Sequence, residues 1–166
     1  MHPSLETWLN LNNIKYLLFK HQAVFTVPEA EIHCGHIPGV HCKNLFLKNK
    51  KNGRFYLITI PSKKRLDLKQ FRKIVQAPKI RFAEAEDLLS ILGLTPGSVS
   101  PLGLINDNEH KTVFFVDESI WNASEICCHP NINTETLQIP QDSFRRLINQ
   151  THCEKIIIKM PYIEEK

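Results

Sequence analysis

The sequence predicts a single α+β domain over residues 1–166, in which helices flank a mixed, mostly antiparallel sheet. Three observations predict this class. The chain has 166 residues, of which 42% are hydrophobic, and that is enough to bury one core. Short apolar runs typical of strands alternate with helical patterns, and Asn52-Gly53 is a hairpin signal between two such runs. No repeat, low-complexity segment or linker divides the chain.

The first half of the chain begins with helix signals and continues into the sheet. Thr26 is a good N-cap, Glu29 lies in the following first turn, and Gly35 is a stop signal. After a glycine-led turn at Gly39, residues 45–47 have no polar interruption, so both faces of that strand are expected to be covered. The predicted elements are a helix capped by Ser4 and ended by Asn12, a strand over 14–19, a helix over 27–34, and strands over 45–48 and 55–60.

The second half of the chain contains further helices between short strands. Asp67 can cap a helix with Leu68 and Phe71 on one side, and Gly93 ends another. Segment 95–101 is rich in glycine and proline, which excludes a helix interior. The predicted elements are helices over 68–75 and 85–92, strands over 112–116, 124–128 and 136–139, a helix over 140–149, and a closing strand over 155–160.

The basic residues are concentrated in one part of the chain. The net charge is +4 and the pI is near 8.8, which is compatible with contact to nucleic acid. Such a run is either a solvated face or a surface that meets phosphate groups, and the sequence leaves both interpretations open. Residues 43–81 hold 13 of the 21 Lys and Arg: Lys43, Lys48, Lys50, Lys51, Arg54, Lys63, Lys64, Arg65, Lys69, Arg72, Lys73, Lys79 and Arg81.

Composition also indicates where the protein works. No apolar run approaches the ~18 residues of a membrane span, and the N-terminus lacks the basic and apolar segments of a secretory signal. We therefore expect a cytoplasmic protein without a membrane partner. Five cysteines would stay reduced there, and no CxxC is present.

Three loops carry groups that could take part in chemistry. Lys43 is expected where a strand emerges from the core, as a point positive charge for an anionic ligand. Gly97 precedes Pro101 by a three-residue spacer, and backbone N–H groups in such a loop can stabilise a developing oxyanion. His129 follows a predicted strand. Each of these features alone also has a purely structural interpretation.

Together, these segments resemble the YbaK/ProX family of aminoacyl-tRNA deacylases, which is related to the editing insertion of bacterial prolyl-tRNA synthetase. The resemblance covers about residues 15–160 and is closest to the free-standing ProX-type alanyl-tRNA(Pro) deacylases. The segments occur in the family order: residues 23–27 (AVFTV), 39–47 (GVHCKNLFL), 97–101 (GSVSP) continued by 102–107 (LGLIND), and 129–131 (HPN).

The resemblance implies a partly barrel-like YbaK-type domain that hydrolyses the ester between a wrong amino acid and the terminal ribose of tRNA. It implies substrate-assisted attack by water, with no metal and no cofactor. It implies tRNA as a partner and prolyl-tRNA synthetase as a second candidate partner. It assigns Lys43 to the ribose-phosphate end, Gly97 to an oxyanion-type cradle and His129 to the pocket wall. The further substrate-binding residues implied are Phe25, Val27, Ile37, Asn44, Ser98, Val99, Ser100 and Pro101.

Other functions stay open at this point. The pocket positions are not a motif, so the substrate amino acid could be alanine, cysteine, serine or threonine. No anticodon-binding module is recognised, so contact with the acceptor stem is expected from the basic residues. A non-catalytic module that binds tRNA or a synthetase is the main alternative.

Two catalytic alternatives and a metal site fit the residues less well. A zinc site lacks the usual ligand spacing, and adjacent Cys127 and Cys128 could not both reach one ion from a strand. The candidate ligands are His33, Cys34, His36, His41 and Cys42, with Cys127, Cys128 and His129 later in the chain. No GxSxG supports a serine hydrolase. A thiolate nucleophile at Cys42, beside Lys43, is conceivable, although the two side chains would point in opposite directions on a strand.

Overall fold

The computed structural model describes residues 1–164, in which six α-helices and a 3-10 helix surround eight strands. Residues 165 and 166 of the predicted domain lie outside this range. The helices are α1 (Pro3–Leu11), α2 (Val27–Cys34), α3 (Leu68–Ile74), α4 (Ala85–Leu92), α5 (Glu118–Trp121) and α6 (Gln141–Gln150), and the 3-10 helix is Pro101–Asn106. The strands are β1 (Leu17–Lys20), β2 (Val40–Asn49), β3 (Phe55–Pro61), β4 (Ile80–Phe82), β5 (Thr112–Asp117), β6 (Glu125–Cys128), β7 (Glu135–Pro140) and β8 (Glu154–Ile158).

The strands form one open mixed sheet in the order β1-β7-β6-β2-β3-β5-β8, with β4 paired to β2 beside this path. Within residues 1–164, β1–β7, β2–β3, β2–β4 and β6–β7 are antiparallel pairs, whereas β2–β6, β3–β5 and β5–β8 are parallel. The predicted α+β class with a mixed, mostly antiparallel sheet is therefore confirmed, but the sheet does not close into a barrel. None of the helices in this range is long and apolar enough to cross a membrane.

Strand β2 is the centre of the sheet and is longer than predicted. Its first residues pair in parallel with β6, and its remainder pairs with β3 and β4. Gly39 precedes it with φ of +114°, and a Cβ there would lie 3.1 Å from the Glu125 carbonyl oxygen, so the strand entry requires glycine. The strand begins earlier than predicted, so Lys43 lies inside β2 and pairs with Ile60, in the half-buried part of the strand before Phe46 and Leu47 enter the core.

The sheet separates two apolar cores, and alternate residues of β3 serve each of them. Phe55 and Leu57 face the larger core under α1, α4 and α6, whereas Tyr56 and Ile58 face the smaller core under α3. Each core is built around aromatic rings: Phe46 stacks on Phe55 at a centroid distance of 5.2 Å, and Phe71 meets Phe115 edge-on at 5.1 Å. This double-sided burial holds β2 and β3 rigidly at the centre of the sheet.

Helices with a strong cap have the predicted bounds. Helix α2 covers Val27–Cys34 because the Thr26 hydroxyl accepts the N–H of Glu29, while the Glu29 carboxylate accepts the N–H of Thr26. Helix α4 ends at Gly93, which has a left-handed φ of 65°. The first helix differs from the prediction, since it is capped by His2 and begins at Pro3.

Some strand predictions were wrong at their ends or missed. β1 begins at Leu17 and not at residue 14, because pairing with β7 starts at Leu17 and the Ile14 N–H instead donates to the Leu9 carbonyl of α1. The hairpin between β2 and β3 is confirmed, but its turn spans 50–54, closed by a hydrogen bond from the Asn49 N–H to the Arg54 carbonyl. Strand β4 and helix α5 were not predicted.

Candidate active site

A cleft of about 210 Å³ opens beside the first half of β2. Its walls come from β2, from α2 and the segment before it, from the ends of β6 and β7, and from the 97–101 loop. Lys43, Gly97 and His129 are far apart in the sequence and all line this cleft. The sheet order brings His129 beside Lys43, because β6 pairs with the start of β2, and a hydrogen bond from Asn44 to Val99 holds the Gly97 loop next to them. The three groups singled out in the sequence thus share one surface, although their roles stay predictions.

The predicted substrate-binding residues divide into two sets. Phe25, Val27, Asn44 and Val99 line the cleft with the three residues above. The remaining four are not part of its lining: Ile37, Ser98, Ser100 and Pro101. Ile37 instead packs with Cys34 and Cys127 in a small buried cluster. We therefore do not propose direct substrate contact for the residues of this second set.

The 97–101 loop is shaped by a tight turn and held by two side-chain hydrogen bonds, one from Asn44 of β2 and one from its own Ser100. Gly97 has φ of +88°, and the Ser98 N–H donates to the Thr95 carbonyl at 3.1 Å. The Asn44 amide donates to the Val99 carbonyl at 3.0 Å. Ser100 is fully buried, and its hydroxyl donates to the His129 carbonyl at 2.6 Å. Ser100 therefore connects the loop to the end of β6.

Asn44 is itself oriented by a second hydrogen bond. The hydroxyl of Thr59, a buried residue on the neighbouring β3, donates to the Asn44 amide oxygen at 2.6 Å. Because the Val99 carbonyl can only accept, the amide NH₂ must face Val99, and the amide oxygen is left to accept from Thr59. The side-chain NH₂ of Asn44 is thus used to hold the backbone of the 97–101 loop.

The His129 ring is held in one tautomer. Its Nδ1 lies 2.8 Å from the Glu135 carbonyl oxygen, which can only accept, so Nδ1 carries the proton and the neutral ring has its lone pair on Nε2. Burial lowers the pKa of His129 below its usual 6.5, and nearby His21 and His41 lower it further, against the opposing effect of the Glu135 hydrogen bond. His129 is therefore a neutral group at pH 7.

The cysteines that line the cleft are protonated thiols near pH 7. Burial, and to a smaller extent the neighbouring Cys128 and Cys127, raise the pKa of Cys42 well above 9.0. Burial also raises the pKa of Cys127 to about 12. The alternative of a thiolate nucleophile at Cys42 is therefore disfavoured. Across residues 1–164, no three His, Cys, Asp or Glu side chains are grouped so as to hold a metal ion.

Several lining residues had no sequence signal. Cys127 and Cys128 directly precede His129, and this adjacency could have indicated them. Val24 lies in the recognised 23–27 segment but was given no role, Thr136 comes from a segment without a motif, and Glu31 projects from the cleft side of α2. Their positions depend on the pairing of β6 with β7 and on the packing of α2, which the local sequence does not specify.

Comparisons with known proteins show which family the chain belongs to. Residues 21–147 match the model of the aminoacyl-tRNA editing domain. The chain is 33% identical over 160 residues to prolyl-tRNA synthetase associated domain-containing protein 1 of Danio rerio, covering 95% of this chain and 86% of the relative. It is 30% identical over 136 residues to the prolyl-tRNA editing protein ProX of Acetoanaerobium sticklandii, covering 81% of this chain and 82% of the relative.

A solved structure shares the fold over the full length. It is the crystal structure of a candidate trans-editing enzyme for prolyl tRNA synthetase, with a TM-score of 0.70, 21% identity and 99% coverage of both chains. Because the family model covers most of the chain and the relatives align over most of their length, the chain belongs to the aminoacyl-tRNA editing domain family.

Proposed function

We propose that this protein is a trans-editing hydrolase that cleaves the ester of mischarged aminoacyl-tRNA, with alanyl-tRNA(Pro) as its main substrate. The observation that carries the proposal is the convergence of Lys43, Gly97 and His129 on one cleft in a member of the editing domain family. The ProX relative is named as a prolyl-tRNA editing protein, which supports the same reaction here.

The proposed reaction is hydrolysis without a covalent enzyme intermediate. Water attacks the carbonyl carbon of the ester, assisted by the free hydroxyl of the terminal ribose. The bond between that carbon and the ribose oxygen breaks, the ribose oxygen takes a proton, and free amino acid and uncharged tRNA leave. This route needs no side-chain nucleophile, which is consistent with the protonated thiols of the cleft.

Lys43 and the Gly97 loop supply charge and hydrogen-bond donors in the proposed reaction. An ammonium group on the rigid centre of β2 is suited to the ribose-phosphate end of the substrate. Backbone N–H groups near Gly97 would bind the oxygen that becomes negative as water attacks. The Asn44 and Ser100 hydrogen bonds keep this loop preorganised, so little reorganisation accompanies the reaction.

His129 is proposed to position the substrate. Its Nδ1–H is engaged by Glu135, so Nε2 offers one hydrogen-bond acceptor towards the cleft. An acceptor there is suited to the ribose hydroxyl or the amino group of the substrate. The hydrogen bond to the β7 backbone fixes the ring, which favours a positioning role over proton shuttling.

The small cleft supports alanine as the amino acid. Its volume of about 210 Å³ is below the ~300–1,000 Å³ of common ligand pockets. A synthetic site that accepts proline cannot exclude the smaller alanine, since each missing methylene is worth only ~1–3 kcal/mol. A second site that rejects proline by size would remove the error.

Contact with the tRNA beyond its terminus is proposed for a basic groove at the far end of β2, lined by Lys50, Lys51, Arg72, Lys79 and Arg81. The Lys50 N–H donates to the Lys79 carbonyl at 3.3 Å, which holds the two sides of the groove together. Two other residues of the basic run have acidic partners, since Lys48 pairs with Asp87 and Lys63 with Glu31.

The experiment that tests the function is a panel of mischarged tRNAs incubated with the wild type and with Lys43→Ala. We expect release of free alanine from alanyl-tRNA(Pro), slower release from seryl- and cysteinyl-tRNA, none from prolyl-tRNA, and a loss of about 10²-fold or more in Lys43→Ala. If both proteins bind tRNA but leave every ester intact, the protein is a non-catalytic tRNA-binding module.

A synthetase partner can be tested separately. The names of the Danio rerio relative and of the structural neighbour both mention prolyl-tRNA synthetase, which supports such a partner. Co-elution of the purified protein with prolyl-tRNA synthetase, with and without tRNA(Pro), is the measurement. Separate elution under both conditions would remove the synthetase from the proposal.

A further inference from the structure

Phe25 has an unusual combination of exposure and anchoring at the mouth of the cleft. Its side chain is 70% exposed, yet it lines the cleft. The backbone on either side is fixed: the Phe25 N–H donates to the Glu29 carboxylate at 2.7 Å, and the N–H of buried Val24 donates to the Asn133 carbonyl at 3.1 Å. A large apolar ring is thus held outside the core by a rigid segment.

The ring lies directly beside the loop proposed to bind the ester carbonyl. A Cβ placed on Gly97 would lie 3.5 Å from Cδ1 of Phe25, so the edge of the ring is in van der Waals reach of the loop. An exposed apolar side chain by itself needs no explanation. An aromatic ring held beside the loop that is proposed to bind the ester carbonyl can, however, contact the substrate.

The deeper part of the cleft has different walls. Cys127, Cys128 and Thr136 line it and are buried. A site that distinguishes side chains by one or two methylenes needs such closed walls, because an open wall excludes nothing. The amino-acid side chain therefore fits the buried end of the cleft, and the mouth at Phe25 is left for another part of the substrate.

The substrate chemistry identifies that part. In an aminoacyl-tRNA the ester oxygen and the terminal adenine base are attached to the same ribose, so the base lies one sugar ring from the carbonyl. With the carbonyl at the Gly97 loop and the side chain in the buried end, the base projects towards the mouth. Aromatic side chains there stack on single-stranded bases.

We propose that Phe25 is a stacking platform for the terminal adenine of the aminoacyl-tRNA and not a wall of the amino-acid pocket. This inference rests on the proposed function and reassigns the role that the sequence predicted for Phe25. It predicts that Phe25 contributes equally to every mischarged tRNA, since all of them end in the same nucleoside.

The test uses Phe25→Leu, which keeps an apolar side chain but removes the aromatic face, and Phe25→Trp, which keeps the face. The trinucleotide CCA serves as the probe of binding. We expect Phe25→Leu to bind CCA roughly 5- to 150-fold more weakly than the wild type and Phe25→Trp to bind it at least as tightly as the wild type. Ile32→Ala is the matched control, because Ile32 is 76% exposed on α2 and does not line the cleft.

Deacylation separates the two possible roles of Phe25. If Phe25 stacks on the base, Phe25→Leu raises KM for alanyl- and seryl-tRNA by the same factor and leaves the ratio of their kcat/KM values at the wild-type value. A changed ratio would place Phe25 in the amino-acid pocket and overturn the inference, as would wild-type affinity of Phe25→Leu for CCA.

The outcomes also distinguish this inference from the proposed function. A wild type that binds CCA through Phe25 but hydrolyses no mischarged tRNA would contradict the hydrolase proposal and support the stacking platform. If the wild type and Phe25→Leu hydrolyse the ester equally well, the hydrolase proposal is supported and the stacking platform is contradicted. A wild type that neither binds CCA nor hydrolyses an ester overturns both.

Discussion

The side-chain amide of Asn44 donates a 3.0 Å hydrogen bond to the carbonyl oxygen of Val99, and this bond ties the 97–101 loop to the central strand of the sheet. The Thr59 hydroxyl fixes the orientation of the same amide from β3. The central pair of strands thus determines where the loop backbone lies, and the preorganisation needed for the proposed oxyanion binding is set by a side chain outside the loop.

The two ends of this hydrogen-bonded chain can be separated by mutation. Asn44→Asp keeps an acceptor for Thr59 but places a carboxylate oxygen against the Val99 carbonyl, so the loop loses its anchor. Thr59→Val removes the hydroxyl and leaves the bond to Val99. We expect each variant to lose about 1–3 kcal/mol of unfolding free energy. Only Asn44→Asp should also lose about 10²-fold in kcat, measured by single-turnover deacylation. An equal loss of kcat in Thr59→Val would mean that the orientation of the Asn44 amide, and not only its bond to Val99, limits the reaction.

The pH dependence of activity should report His129. Its pKa lies below 6.5 because of burial and the nearby His21 and His41, so Nε2 keeps its lone pair through neutral pH. We expect kcat/KM to be constant between pH 7 and 8 and to fall on acidification below pH 6.5. His129→Asn, which cannot titrate, should be less active at pH 7.5 and lack this acidic limb. Persistence of the limb in His129→Asn would assign it to another group.

The same pKa shift predicts a change in stability. The unfolded chain takes up a proton on His129 near pH 6.5, whereas the folded protein does so only at lower pH. Between these values the unfolded state binds more protons, so the contribution of neutral His129 is complete above pH 6.5 and is lost as the pH falls through the folded pKa. Urea unfolding of the wild type and His129→Asn at pH 7.5 and 5.5 measures it. The wild type should lose more stability than the variant on acidification.

Local signals predicted much of the fold, and non-local pairing explains what they missed. The capping box of Thr26 and Glu29 determines α2 by itself, so its bounds were predictable. β4 has three residues and exists because Leu47, Lys48 and Asn49 supply its partners. The first residues of β2 are extended because β6, far along the chain, pairs with them. Neither contact leaves a pattern in its own segment.

The functional groups that line the candidate site were predictable from the sequence, whereas the hydrogen bonds that hold them in place were not. Lys43, Gly97 and His129 belong to recognisable segments, and they do share the cleft. The roles expected for Ser100 and Asn44 were drawn from their place in those segments, whereas their hydrogen bonds reach His129, just after β6, and Thr59 on β3. Such bonds depend on which strands lie side by side, and one sequence does not reveal them.

The basic groove predicts a salt-dependent loss of tRNA affinity. Lys79→Glu reverses one charge in the groove formed with Lys50 and Lys51. We expect weaker binding of uncharged tRNA and a plot of log affinity against log salt that is shallower by about 1. Lys159→Glu changes the net charge equally at an exposed position just after β8, and it should bind tRNA like the wild type. Equal losses in both variants would indicate a net-charge effect and no groove.

Two glycines allow backbone strain to be separated from function. Gly97 and Gly53 have φ of +88° and +71°, and a Cβ at Gly97 meets only the Phe25 ring at 3.5 Å, while a Cβ at Gly53 meets nothing within 4 Å. Alanine is strained at both positions without a clash, so Gly97→Ala and Gly53→Ala should each cost about 1–2 kcal/mol of unfolding free energy.

In Gly97→Ala, relief of this strain would shift the loop that is proposed to hold the carbonyl, and we expect kcat to fall about 10²-fold. Gly53 lies in the turn at the opposite end of β2, so Gly53→Ala should deacylate at the wild-type rate. A loss of unfolding free energy in both variants with full activity in Gly97→Ala would show that the loop does not bind the reacting carbonyl, because a displaced cradle cannot keep its donors on the same oxygen.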